Sequence, residues 1–149
     1  MSYLNSRKVL GAAALLFAAP LFAGDDPIHE RHELMEGVGD AAKPIGQMLK
    51  GEREFDAAVV MASFQTFDEA SAQFGDLFPP GSETGQDTEA APAIWEDRAG
   101  FDEALAAWAG AVDAAIAANP QTLDETKPVA GDVFKTCKGC HDNYRIKDE

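Results

Sequence analysis

Two thiols and an imidazole stand together near the C-terminal end of the chain, in the run Cys137-Lys138-Gly139-Cys140-His141. Cys-x-x-Cys-His is the attachment signature of a c-type haem, and the spacing has a chemical reason. Each thiol adds to one vinyl group of the porphyrin, and residues three apart on a helical turn put both sulfurs on one side. The next residue turns its imidazole toward the iron as proximal ligand. Other uses of paired cysteines fit less well. A redox Cys-x-x-Cys belongs near a βαβ pattern, and no strand-like run precedes Cys137. A zinc site takes four ligands, whereas the chain holds only 2 cysteines and 3 histidines. A disulfide between the two cysteines remains compatible with the pentapeptide taken alone.

The elements that must position these groups read as helices. Alanine dominates an apolar fraction of 46%, and runs of β-branched residues are almost absent, which favours helix over strand. Asp26-Pro27 opens a first helix, an acceptor ahead of a proline at an early helical position. Ile28, Arg31/His32, Met35, Val38, Ala42, Ile45 and Leu49 then recur at three- and four-residue steps, and Lys50-Gly51 ends the run. A second helix is expected from about Asp56 to Phe74 or Leu77, followed by a polar, glycine-containing loop from Ser82 to Ala91. A third is expected from Pro92 to Ala118, with Ile94, Phe101, Trp108 and Ala115 seven apart in a heptad-like seam. A fourth starts between Thr122 and Pro128 and reaches Arg145, with Val129, Val133, Cys137, Cys140/His141 and Tyr144 on its inner face. Four such helices with mostly short links predict an all-α fold, an antiparallel up-down four-helix bundle. Residues 24–149 read as a single domain with covalent haem c near the C-terminus.

Residues 1–23 read as a secretory signal peptide: Arg7 and Lys8, then an apolar run from Val9 to Phe22 too short to span a bilayer comfortably, then cleavage near Ala23. Export fits the chemistry, because c-type haem is attached on the far side of the bacterial inner membrane, and it predicts a periplasmic protein without stable membrane insertion. The formal charge of −14 argues against nucleic acid and anionic membranes as partners. Residues 24–126 carry a net −17, whereas residues 127–149 carry a net +1. That asymmetry favours approach of acidic partner surfaces toward the haem edge.

Bundle topology constrains the far side of the iron. In an up-down bundle the first and last helices are antiparallel, so the partner of His141 lies near the start of the first helix. Met35 is there. Met48 is 13 residues further on, about 20 Å along the axis, at the wrong end. His32, one turn before Met35 on a neighbouring face, is the competing ligand, and a core methionine filling a gap is the alternative role for Met35.

Taken together these residues resemble the class II c-type cytochromes, four-helix bundles that include cytochrome c′. The resemblance covers nearly all of residues 24–149. It rests on Arg31 four residues before Met35, Lys50-Gly51-Glu52 at the end of the first helix, Pro92-Ala93-Ile94-Trp95 opening the third, and Cys-x-x-Cys-His-x-x-Tyr-Arg from Cys137 to Arg145. It implies a place for Arg145 beside the proximal histidine, for Arg31 near a haem propionate, and for Trp95 at the haem edge. Leu34-Met35 looks like the low-spin cytochrome c-556 branch, in which methionine closes the sixth iron position. The resemblance also admits a homodimer through the first two helices.

The function these features predict is a non-enzymatic, periplasmic electron carrier that serves redox partner proteins, with one haem c held by Cys137 and Cys140 and ligated axially by His141 and Met35. The alternatives are a five-coordinate protein that binds nitric oxide or carbon monoxide, and a thiol–disulfide protein without haem.

Overall fold

A computed structural model describes residues 26–85 and 88–147. The expected signal peptide over residues 1–23 lies outside the described residues. Four long helices carry the fold: α1 (Pro27–Lys50), α2 (Ala57–Phe74), α4 (Arg98–Ala118) and α5 (Leu123–Tyr144), with a one-turn helix α3 (Ala93–Glu96) leading into α4. They pack as the expected antiparallel up-down bundle, each long helix against its chain neighbour and α1 closing on α5. No helix among the described residues is long and apolar enough to cross a membrane.

The helix ends follow local chemistry. The Asp26 carboxylate accepts from Ile28 N at 2.9 Å, and Pro27 takes the first helical position, where no N–H is needed. At the other end Gly51 adopts φ +74°. This left-handed conformation lets Gly51 N donate to Met48 O and Glu52 N to Gln47 O, the paired bonds of a Schellman cap. Asp56 caps α2 through Ala58 N and Val59 N. Thr122 caps α5 through Glu125 N, while the Glu125 carboxylate reaches back to Gln121 N.

The third expected helix is the one that differs. It is interrupted at Asp97 (φ −127°, ψ 59°), which ends α3 and caps α4 by accepting from Gly100 N at 3.1 Å. A short acidic side chain competes for backbone donors this way wherever it can act as a cap, and the unbroken heptad pattern conceals it. The Tyr144 hydroxyl donates to the same carboxylate at 3.4 Å, which ties the start of α4 to the end of α5. Gly100 makes room for this arrangement, since a Cβ there would meet the Asp97 carboxylate and lie 2.7 Å from the Tyr144 hydroxyl.

Two apolar clusters fill the interior. The larger draws Ile45 and Met48 from α1, Val60, Phe64 and Phe67 from α2, Trp108 and Val112 from α4, and Ala130 and Val133 from α5. The smaller consists of Phe78, Ile94 and Phe101. Phe74 and Leu105 pack against both. The Ser82–Ala91 loop is tied to the end of α5 by backbone bonds from Ala91 N to Tyr144 O (2.9 Å) and from Ile146 N to Glu89 O (2.7 Å).

Phe64 is fully buried in the larger cluster. Phe64→Ala is therefore expected to lower the unfolding free energy by roughly 3–5 kcal/mol, and removing the exposed cap by Asp56→Ala by about 1 kcal/mol. Urea unfolding followed by far-ultraviolet circular dichroism measures both, and equal losses would contradict this picture of the core.

Candidate haem-binding site

Cys137, Cys140 and His141 occupy the last two turns of α5, and all three line one cavity of about 620 Å³. Clefts that take cofactors span roughly 300–1,000 Å³. The motif straddles the seam of the core, because Cys137 packs against the larger cluster and Cys140 against the smaller. Burial raises the pKa of both thiols, that of Cys140 to about 11 with a further push from Cys137, so both are un-ionised near neutrality. Much of the His141 ring reaches solvent. Its surroundings are nevertheless crowded enough that partial desolvation, helped by the Arg145 charge, lowers its pKa. This favours the neutral imidazole, the form that can ligate a metal.

Across the cavity α1 presents Met35, with Val38, Gly39 and Ala42 below it and His32 at the rim. A Cβ built on Gly39 would meet no atom within 4 Å, so this wall is bare backbone facing open space. Met48 is only 1% exposed within the larger cluster and takes no part in the lining. Met35 and His141 thus border the same space, and so does His32.

Arg31 lines the cavity and is 5% exposed. Its guanidinium donates to Leu77 O and Ser82 Oγ (both 3.2 Å), to Ser82 O (2.8 Å) and to Thr88 Oγ1 (2.5 Å). It also lies 4.9 Å from the Phe78 ring centroid and 5.7 Å from that of Trp95. All four acceptors are neutral, and no described carboxylate is paired with it. Burial lowers its pKa, with Asp26 and Glu83 acting in the opposite sense from a distance. Arg145 also lines the cavity and holds Glu89 Oε2 through Nε (2.9 Å) and a terminal nitrogen (2.7 Å). Lys127 and Lys138 are likewise paired, with Asp124 and Asp142. Three of the five bases of residues 127–149 are therefore held in ion pairs.

The two tryptophans take different places. Trp95 is absent from the cavity lining. Its ring packs edge-on against Phe78 and its Nε1 donates to Pro79 O at 3.4 Å. Trp108 lines the cavity instead, with its Nε1 buried and without a hydrogen-bond partner. Its heptad position already marked it as inward-facing. Thr88 and Glu89, from the stretch that reads only as polar loop, complete the rim. The residues present suit a flat, apolar, carboxylate-bearing group. The walls are apolar and in part bare backbone, and among the described residues a buried cation lacks a contacting anion and a buried donor lacks an acceptor.

The family model described as Cytochrome C′ matches residues 26–145. A cytochrome c′ of Rhodopseudomonas palustris is 44% identical over 127 residues, covering 84% of this chain and 85% of that one. A cytochrome c-556 of the same organism is 33% identical over 147 residues, covering 95% and 98%. The solved cytochrome c′ of R. palustris superposes with a TM-score of 0.81 at 41% identity, over 85% of this chain and 100% of that one. A nitric oxide complex of a single-site mutant of cytochrome c′ from Alcaligenes xylosoxidans gives 0.73 at 31% identity, over 83% and 95%.

The Arg145 hydrogen bond holds the Glu89 carboxyl below its ordinary value. A depressed carboxylate contributes stability that is fully present above its unfolded pKa of about 4.3 and is lost as pH falls through the folded value. The stability gap between the native chain and Glu89→Gln, under about 1 kcal/mol for so exposed a pair, should therefore be full above about pH 5 and close below pH 4. Urea midpoints across that range measure it, and a gap that widened in acid would reverse the assignment.

Proposed function

The chain belongs to the cytochrome c′ family and carries one covalently attached haem c, and on that premise we propose that it is a periplasmic electron carrier whose haem is held by Cys137 and Cys140 and ligated axially by His141 and Met35. The observation that carries this reading is the single cavity bordered by Met35 on α1 and by the Cys-x-x-Cys-His turn on α5, with Met48 excluded from it. Bound haem c supplies a one-electron ferric–ferrous couple.

The chain's own residues do the rest. The neutral imidazole of His141 offers a nitrogen lone pair from a helix anchored by the Tyr144–Asp97 bond. Met35 offers a soft thioether from the opposite wall, a ligand that favours the ferrous state relative to a second histidine. Arg31 presents a buried positive charge at the rim to balance propionate carboxylates, the role the family resemblance implies for it. Phe74, Leu105 and Phe134 exclude water from the interior of the cavity, which also favours the less charged state of the iron. With both axial positions taken by protein, outer-sphere electron exchange with redox partner proteins is the function that remains. The apolar run from Val9 to Phe22 supports export.

A second reading has its own support. The 44% identical relative is named a cytochrome c′, and a single-site mutant of a more distant one forms a nitric oxide complex. In that reading Met35 is a cavity wall, the sixth position is open, and the protein binds a diatomic gas. Spin state separates the two. The ferric protein is expected to be low-spin and slow to bind carbon monoxide when reduced, and Met35→Ala is expected to be high-spin and to bind it quickly. A high-spin native protein with the optical spectrum of its Met35→Ala variant would discard Met35 ligation and leave the gas-binding reading standing.

A further inference from the structure

Among the described residues, Trp108 Nε1 is the one buried side-chain nitrogen or oxygen without a hydrogen-bond partner. A buried polar group is ordinarily bonded, and an exception calls for an explanation in what the site holds. The indole is 6% exposed and belongs to an apolar cluster. A buried water needs two to four polar partners, which such a cluster does not provide. The acceptor must therefore come from the cavity that Trp108 lines.

Helix register identifies it. The α4 and α5 helices are antiparallel neighbours, and the rings of Phe101 and Tyr144 meet across them with centroids 5.3 Å apart. Trp108 is seven residues beyond Phe101, and Cys137 is seven residues before Tyr144. Each step descends about 10.5 Å along its helix, so Trp108 and Cys137 stand at one level on adjacent helices. Both line the cavity and both pack in the larger cluster, whereas Cys140 packs against the smaller one. Cysteine sulfur is a weak acceptor with lone pairs to offer, and so is a thioether.

We propose that Trp108 is a positioning residue for the haem, its Nε1–H donating a hydrogen bond to Cys137 Sγ in the attached state. The inference rests on the attachment at Cys137 proposed above. Attachment adds S–H across a vinyl double bond: sulfur takes one carbon, hydrogen ends on the other, and nothing is oxidised or reduced. The thioether keeps its lone pairs, so the bond fixes the torsion about the linkage. It also places the positive end of the indole dipole beside the cofactor in an apolar cavity, where it favours the reduced state.

The test uses the holoprotein in a Trp95→Phe background, which leaves Trp108 as the only indole. Ultraviolet resonance Raman should show the indole N–H marker at its hydrogen-bonded position. The marker should move to the free-indole position in Trp95→Phe/Cys137→Ala, whose haem stays on the chain through Cys140 in a denaturing gel. A free-indole marker in the first protein, or an unmoved one in the second, overturns the proposal. Should the Cys137→Ala holoprotein not form, Trp108→Phe decides: a lower midpoint potential and a shifted thioether C–S stretch are expected, and no change in either overturns it. If the denatured native holoprotein takes up iodoacetamide at Cys137, the attachment reading itself has failed, a result visible by mass and independent of the indole band.

Discussion

A guanidinium withdrawn from water needs its donors occupied, and the way Arg31 meets that requirement shapes one end of the molecule. With no carboxylate among the described residues in contact, it gathers the Leu77 carbonyl from the turn after α2, a carbonyl and two hydroxyls from the following loop, and the faces of Phe78 and Trp95. Neutral acceptors and aromatic faces solvate a cation without cancelling its charge. Position follows from that one residue. The loop is drawn down onto α1, Phe78 is pressed into the smaller cluster, and a guanidinium in contact with no described carboxylate is left lining the cavity. An aspartate in place of Ser82 or Thr88 would hold the loop as well and leave no charge for a ligand.

The cavity is bounded rather than filled because the two apolar clusters stop short of each other. Phe74 and Leu105 bridge them on one side, and on the other the wall is Gly39 and Ala42, residues too small to close the gap. Burial elsewhere is complete, with Ile45, Val60, Phe64, Val112, Ala115, Ala130 and Val133 all at 0% exposure. The bundle is thus closed below and open above. That arrangement suits a site whose ligands must keep their positions while the charge between them changes.

Legibility followed the range of the interaction. The cap at Asp26, the helix start near Asp56, the stop at Gly51 and the heptad seam are written in residues a few positions apart, and they stand where the pattern put them. The placement of Met35 over Met48 at the cavity came from topology, which periodicity is enough to supply. Three features escaped because each depends on partners distant in the chain. The break at Asp97 is reinforced by Tyr144. The loop before α3 looks unconstrained until its backbone is paired with Tyr144 and Ile146. The place of Trp108 in the cavity wall turns on which helix face the cavity opens, and seven-residue spacing alone does not say which member of a seam meets a void.

The grip of Arg31 on Ser82 and Thr88 has a consequence for how such a chain can vary. Both ends of the segment between them are fastened to the same side chain, so its length is uncoupled from everything the cavity requires. Lengthening a closed loop is inexpensive, about 0.6 kcal/mol for each doubling, when the anchors stay where they are. Residues inserted or deleted between these two anchors would alter the surface above the cavity while both anchors keep the same side chain. The same number of residues added between Asp97 and Gly100 would have no such latitude, because there the cap, the glycine and the Tyr144 hydroxyl share one space.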